Sequence, residues 1–319
     1  MISELGARRQ IEAGPLSIGV HESGPSSGFP VVLLHGFPYD VQAYAEVAPI
    51  LAQQDCWVIV PHLRGFGPTR FLSPDSIRSG EQAALGADLL ALLDAMSVSR
   101  AIVAGYDWGS TAACVAAALW PERCVGLVSF NSYKIQDIAN ARRPSTPENE
   151  MRYWYQYYFH GERGRAGLEQ NRQAFCRLLW HLWSPDWEFD DECFARSAVS
   201  FENPDFVDVV IHSYRHRYGL VDGDPAYSEL QQRLSRLPPI LVPTITMDGS
   251  HDGVIPPEGT SAHAKYFTGY HDHRMVEGAG HNLPQEKPMV FARAVLDLLG
   301  LVMELKGKDC LTSPSTGLA

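Results

Sequence analysis

The chain has 319 residues, with 37 Asp and Glu against 26 Lys and Arg and a formal net charge of −11. That acidic surplus argues against nucleic acid or an anionic membrane surface as partner, because both need clustered cations. The length suffices for one large domain or a core domain with an insertion, and no apolar run approaches the roughly 18 residues of a membrane span.

The opening residues, MISELGARRQIEAG, hold no apolar stretch of the secretory type. The cysteines (Cys56, Cys114, Cys124, Cys176, Cys193 and Cys310) are scattered, without a CxxC pair, and several lie in apolar runs. We read reduced thiols in a cytoplasmic protein. Strand-length apolar runs then recur at 31–34, 57–60, 101–104, 125–130 and 240–247. Helical patterns lie between them: Leu85, Leu89, Leu92 and Met96 share one face, as do Phe291, Ala294, Val295, Leu298 and Val302. Strands that are apolar throughout and alternate with helices predict a parallel sheet covered on both faces, an α/β fold.

Between about 133 and 237 the alternation stops. This stretch has no convincing strand and is rich in aromatics, with YWYQYYFH at 153–160 and Trp180, Trp183, Trp187 and Phe189 beyond it. Phe175, Leu178, Leu179 and Trp183 are helically spaced. We expect a helical cap over 133–237, set into a core of 1–132 and 238–306, with a disordered tail over 307–319.

In an open parallel sheet, reactive groups collect at the carboxyl ends of the strands. Asp107 follows the strand at 101–104, inside AGYDWGS. Gly105 and Gly109 flank it where a sharp strand-to-helix turn leaves no room for a Cβ, and small residues follow for close helix packing. A plain helix N-cap is the competing reading of Asp107. His35 follows the strand at 31–34 and reads as a structural hydrogen-bonder. The amide of Phe37, two residues on, could form an oxyanion hole with that of Trp108. Asp252 lies in the loop after 240–247, with Asp248 as its rival. We favour Asp252, which lies further into the loop, between Gly249 and Pro256. His281 follows a short strand near 274–276 in GAGHN, whose glycines let the loop aim the imidazole. His271 and His273 read as one face of a strand rather than a ligand pair, and no metal spacing or cofactor motif is present, so no cofactor is expected. The chain order nucleophile, acid, histidine is that of a hydrolase triad.

The motifs HGFP at 35–38, RGFG at 64–67, GYDWGS at 105–110, GSHDGVIP at 249–256 and GAGH at 278–281 resemble the α/β-hydrolase superfamily. Within it they resemble the aspartate-nucleophile branch of epoxide hydrolases, close to the haloalkane and haloacetate dehalogenases. The resemblance runs from about residue 15 to 303. It implies a mostly parallel sheet with helices on both faces, a helical cap inserted after the sixth strand, and a cis peptide before Pro38. It also implies Asp107 as nucleophile, Asp252 as acid partner and His281 as water-activating base. A carboxylate nucleophile suits a leaving group on saturated carbon, because water attacking the ester's own carbonyl restores the enzyme. Tyr155, in a Tyr-x-x-x-Phe context ending at Phe159, and Tyr214, followed by Arg215, match the cap tyrosines that protonate an epoxide oxygen. The resemblance thus implies an epoxide and water as substrates, with Phe37, Trp108, Trp154 and Phe159 as binding residues and a monomer or homodimer. The aromatic cap points to an apolar, aryl-substituted epoxide. A haloalkane or haloacid dehalogenase would use the same nucleophile, but Phe37 and Thr111 stand where such enzymes carry polar or basic groups. A non-catalytic binding protein on this fold predicts a damaged triad. Two positions depart from the common pattern: His62 replaces an Asp before LRGFG, and Asn282 replaces an aromatic after His281.

Overall fold

The computed structural model describes the backbone of residues 5–256 and 261–312, and the side chains of 5–256 and 262–305. One sheet runs through it, in the order β1-β2-β4-β3-β6-β7-β8-β9, with β5 paired to β2. Its strands are β1 (Ala7–Ala13), β2 (Leu16–Ser23), β3 (Phe29–Leu34), β4 (Cys56–Pro61), β5 (Arg70–Phe71), β6 (Ala101–Gly105), β7 (Cys124–Phe130), β8 (Thr244–Gly249) and β9 (His271–Val276). The pairings from β4 through β9 along this order are parallel, while β2 pairs antiparallel with β1, β4 and β5. Val31–Leu34 and the whole of β6 are buried, as strands covered on both faces must be.

The helices flanking this sheet are α1 (Val47–Ala52), α2 (Gln82–Ala95) and α3 (Trp108–Leu119). Between β7 and β8 come α4 (Pro147–Arg152), α5 (Trp154–Tyr158), α6 (Glu162–Gln170), α7 (Arg172–Trp183), α8 (Asp191–Phe201), α9 (Phe206–His216) and α10 (Ser228–Leu234). After β9 come α11 (Leu283–Glu286) and α12 (Pro288–Thr312). Helix α2 packs on α3, and α12 packs on α1 and β7. The fold is the expected α/β-hydrolase arrangement. Among the described residues no helix is long and apolar enough to cross a membrane, and no cluster of three His, Cys, Asp or Glu could hold a metal ion.

Several details differ from the sequence reading. The helical insertion follows the seventh strand in chain order, because the two-residue β5 precedes it. Strands β1 and β2 carry no continuous apolar run; β1 is largely exposed, and β2 buries Leu16, Ile18 and Val20 in alternation. Strand β8 begins at Thr244, since Pro243 has no amide for the ladder, and Ile240 forms only an isolated bridge to Phe267. Strand β9 starts three residues earlier than expected, its polar segment lying at the sheet edge. Leu178 faces solvent while Phe175, Leu179 and Trp183 are buried. Helix α12 continues to Thr312, so residues 307–312 extend a helix where a disordered tail was expected. Residues 313–319 lie outside the described residues.

The insertion is fastened to the core at the loops after the parallel strands. The Trp180 indole donates to the Pro38 carbonyl at 2.7 Å, and Ser197 and Ser200 of α8 donate to the buried Asp40 carboxylate at 2.7 and 2.6 Å. Asn203 donates to the carbonyls of Gly67 and Thr69.

Candidate active site

Asp107 stands between β6 and α3 with φ 51° and ψ −122°, a left-handed conformation strained for a residue with a Cβ. The turn is closed so tightly that a Cβ on Gly109 would come within 1.9 Å of the Leu34 carbonyl oxygen, and one on Gly105 within 2.5 Å of Gly109. The glycines are therefore a steric requirement of the turn that presents the carboxylate. Its side chain caps no helix amide, which removes the N-cap reading. Instead, Oδ1 accepts from the Phe37 amide at 2.7 Å and Oδ2 faces His281 Nε2 at 3.5 Å. The Phe37–Pro38 peptide is cis. Trp108 supplies the first amide of α3 but makes no hydrogen bond to this carboxylate.

On the other side of the imidazole, His281 Nδ1 meets Asp252 Oδ2 at 2.7 Å. Asp252 is fixed in turn: its Oδ1 accepts from the amides of Val254 and Ile255, and Oδ2 accepts from Asn131 Nδ2 at 3.0 Å. Asp248 points elsewhere, with His273 Nε2 3.6 Å from its carboxylate. Thr246 Oγ1 bonds both His271 and His273, which makes them a strand face. His35 ties its own loop, with Nε2 accepting from the Leu63 amide and Nδ1 bonded to the Gly36 carbonyl.

Charge in this buried cluster is strongly coupled. Burial alone would raise the Asp107 carboxyl, but His281, then Lys134 and the Phe37 amide, hold it below the usual range. Burial would lower His281, yet Asp252 and Asp107 outweigh that and push it up to about 9. The resting pair is thus a carboxylate facing an imidazolium.

Tyr155 and Tyr214 are both buried, with ring centroids 5.3 Å apart and planes at 83°. Burial raises both phenols, and the nearby negative charge of Asp107 adds to the effect. Both therefore stay protonated at neutral pH. Gln156 Nε2 donates to the Tyr155 hydroxyl at 2.9 Å, leaving that hydroxyl's proton free to donate. The Tyr214 hydroxyl is buried without a well-formed hydrogen bond among the described residues; Trp108 and Tyr155 are its polar neighbours. Arg215 braces the insertion, donating to the Phe159 carbonyl and to Glu162.

A cavity of about 590 Å³ reaches Asp107 and Trp108. Tyr133, Tyr153, Tyr266, Ile135 and Ile255 supply much of its wall, with Lys134 and Arg217 among them. Phe37, Trp154 and Phe159, expected to bind substrate, do not line it, and neither do Tyr155, Tyr214 and His281, which are buried. Phe37 stacks on Trp108 at 5.7 Å, Phe159 is buried against Phe37 and Tyr214, and Trp154 packs on Tyr158 and Phe175. Sequence reasoning missed Lys134, Arg217 and Gln156. Arg217 had one available signal, lying three residues beyond Tyr214 on the same helical face.

The two departures are accommodated locally. His62 is buried beside His21 and His35 and fills space that a Cβ on Gly67 would need. Burial, with the neighbouring histidines, keeps it neutral. Asn282 donates to Gln285 and precedes α11.

The chain is 25% identical to epoxide hydrolase A of Mycobacterium tuberculosis (strain ATCC 25618 / H37Rv), over 91% of this chain and 96% of that protein. A crystal structure of a "putative epoxide hydrolase" from Klebsiella pneumoniae subsp. pneumoniae MGH 78578 superposes with a TM-score of 0.90 at 46% identity, covering 91% of this chain and 96% of the other. Epoxide hydrolase A from Mycobacterium thermoresistibile shares the fold at a TM-score of 0.72 and 22% identity, over 92% and 98% of the two chains. The family model for the alpha/beta hydrolase fold matches residues 30–288. The chain belongs to the alpha/beta hydrolase fold family.

Proposed function

We propose that the protein is an epoxide hydrolase of the aspartate-nucleophile branch, and that residues 133–237 act as its cap. One observation carries this: two protonated tyrosines, Tyr155 and Tyr214, lie buried together beside the carboxylate that faces His281. An alkyl halide leaves as an anion and needs no proton, whereas an epoxide oxygen does.

Asp107 attacks an epoxide carbon, the ring C–O bond breaks, and a tyrosine proton passes to the departing oxygen. The resulting hydroxyalkyl ester has removed the negative charge of Asp107. His281 thereby loses one of the two carboxylates that raise its pKa, and its proton neutralises the tyrosinate. The imidazole, now neutral and held through Nδ1 by Asp252, takes a proton from water as that water adds to the ester carbonyl. The developing oxyanion meets the Phe37 amide, with the Trp108 amide as second donor. Collapse releases the vicinal diol and returns carboxylate, imidazolium and both phenols. The cavity wall of tyrosines, isoleucines and Leu237 suits an apolar, aryl-substituted epoxide.

The test is single-turnover ester formation with styrene oxide and with 1-bromobutane. Tyr155→Phe and Tyr214→Phe should each slow alkylation by styrene oxide about 10- to 1,000-fold, or roughly 1.4–4 kcal/mol of barrier. The double variant should lose nearly all epoxide reaction yet keep any alkylation by the bromide. Wild-type rates in both single variants would reduce the tyrosines to packing and remove the main support for an epoxide.

A further inference from the structure

The cavity that ends at Asp107 is lined by three cations that the mechanism does not use: the exposed Lys265 and the half-buried Lys134 and Arg217. Lys134 follows β7 by four residues, and Arg217 sits at the end of α9, one turn beyond Tyr214. Both line the cavity. Burial lowers the Lys134 amine; Asp107 opposes that, and the positive charge of Arg217 adds to the lowering. Among the described residues neither forms an ion pair. Arg217 Nε is buried without a hydrogen-bond partner, the guanidinium lies 4.3 Å from the Tyr214 ring centroid, and among the described residues its one hydrogen bond is a long 3.5 Å contact to Ser213 Oγ. Lys134 is attracted by Asp107, but that carboxylate is already engaged by His281 and the Phe37 amide. Asp137, at the same cavity, is exposed and accepts from Asn140.

Asp107 and Asp252 both face His281, which leaves Lys134 and Arg217 at the cavity without an ion-pair partner among the described residues. Half-buried like charges left facing each other are unfavourable unless an anion joins them.

We propose that Lys134 and Arg217 form a subsite for an anionic group on the substrate, so that the preferred epoxide carries a carboxylate beyond its apolar portion. This rests on the epoxide reading above. The carboxylate would bridge the two cations while Tyr133, Tyr153 and Tyr266 pack on the intervening carbons, placing the ring against Asp107. A guanidinium offers paired donors to a carboxylate, and an ammonium adds a point charge.

The experiment compares 4-(oxiran-2-yl)benzoate with its isosteric amide, in wild type, Lys134→Gln, Arg217→Gln and the conservative Arg217→Lys. It also measures binding of the two corresponding diols by calorimetry. The wild type should favour the anionic epoxide at least 10-fold in kcat/KM. That ratio should fall toward 1 in Lys134→Gln and Arg217→Gln, chiefly through KM, and be partly kept in Arg217→Lys. Equal use of both epoxides by the wild type would overturn the anion subsite and leave the epoxide reading standing. No turnover of either epoxide, with charge-dependent diol binding lost in the variants, would overturn the epoxide reading and keep the subsite. Absence of both signals would overturn both.

Discussion

At the scale of single residues, the site turns on what each carboxylate is allowed to touch. Asp107 sits in a strained turn with one oxygen on a backbone amide and the other facing His281, whereas Asp252 gives one oxygen to His281 and has the other fixed by the Val254 and Ile255 amides. The proposed roles therefore separate into two half-reactions. His281→Gln keeps the nucleophile and removes the base, so an ester should accumulate, visible as an intact-mass increase equal to the epoxide. Asp107→Asn should show neither adduct nor turnover. Asp252→Asn should slow ester hydrolysis more than ester formation, because the imidazole loses its orienting partner. The same slowing from Asp248→Asn in its place would contradict the geometry that turns Asp248 toward His273.

At the scale of elements, the insertion holds both the Asp252 loop and the His281 loop. The carbonyl of Trp183, at the end of α7, accepts from the amides of Gly253 and His281, and Ser184 Oγ accepts from His281 and Asn282. One helix end thus joins the loop of Asp252 to the loop of His281. Asp40 anchors a second point, and there the electrostatics run opposite to the usual carboxylate. Burial raises it to about 6, only partly offset by its bonds from Ser200, Ser197 and Gln42. The folded state therefore holds this proton more tightly than the unfolded chain. Its contribution is present in full below about pH 4 and is lost as pH rises through about 6, a change of about 3 kcal/mol for a two-unit shift. Thermal melts should show wild type losing stability over that window relative to Asp40→Asn, which has no proton to lose. Parallel pH profiles for the two proteins would show that Asp40 is not titrating there.

At the scale of the whole molecule, most of the candidate site's geometry was legible because it sits at strand ends. The glycines around Asp107 and the order of Asp107, Asp252 and His281 mark loops whose geometry the parallel sheet dictates. The edge strands β1 and β9 were harder to read, because half-exposed strands carry polar residues and no apolar run. The insertion misled in a different way: its aromatic density suggested a substrate surface. In the structure Trp180, Trp187, Phe189 and Phe194 pack largely on one another, so much of that density is the insertion's own core. Lys134 and Arg217 escaped notice because no local spacing ties residues more than eighty positions apart; only the fold brings them to one cavity. The central claim is that Asp107 itself supplies the oxygen first delivered to substrate. A single turnover of excess enzyme with epoxide in ¹⁸O-labelled water tests it most directly. The account predicts diol whose new oxygen is unlabelled, with heavy oxygen appearing in the peptide containing Asp107. Labelled diol in that first turnover, with Asp107 unlabelled, would mean that water attacks the epoxide directly.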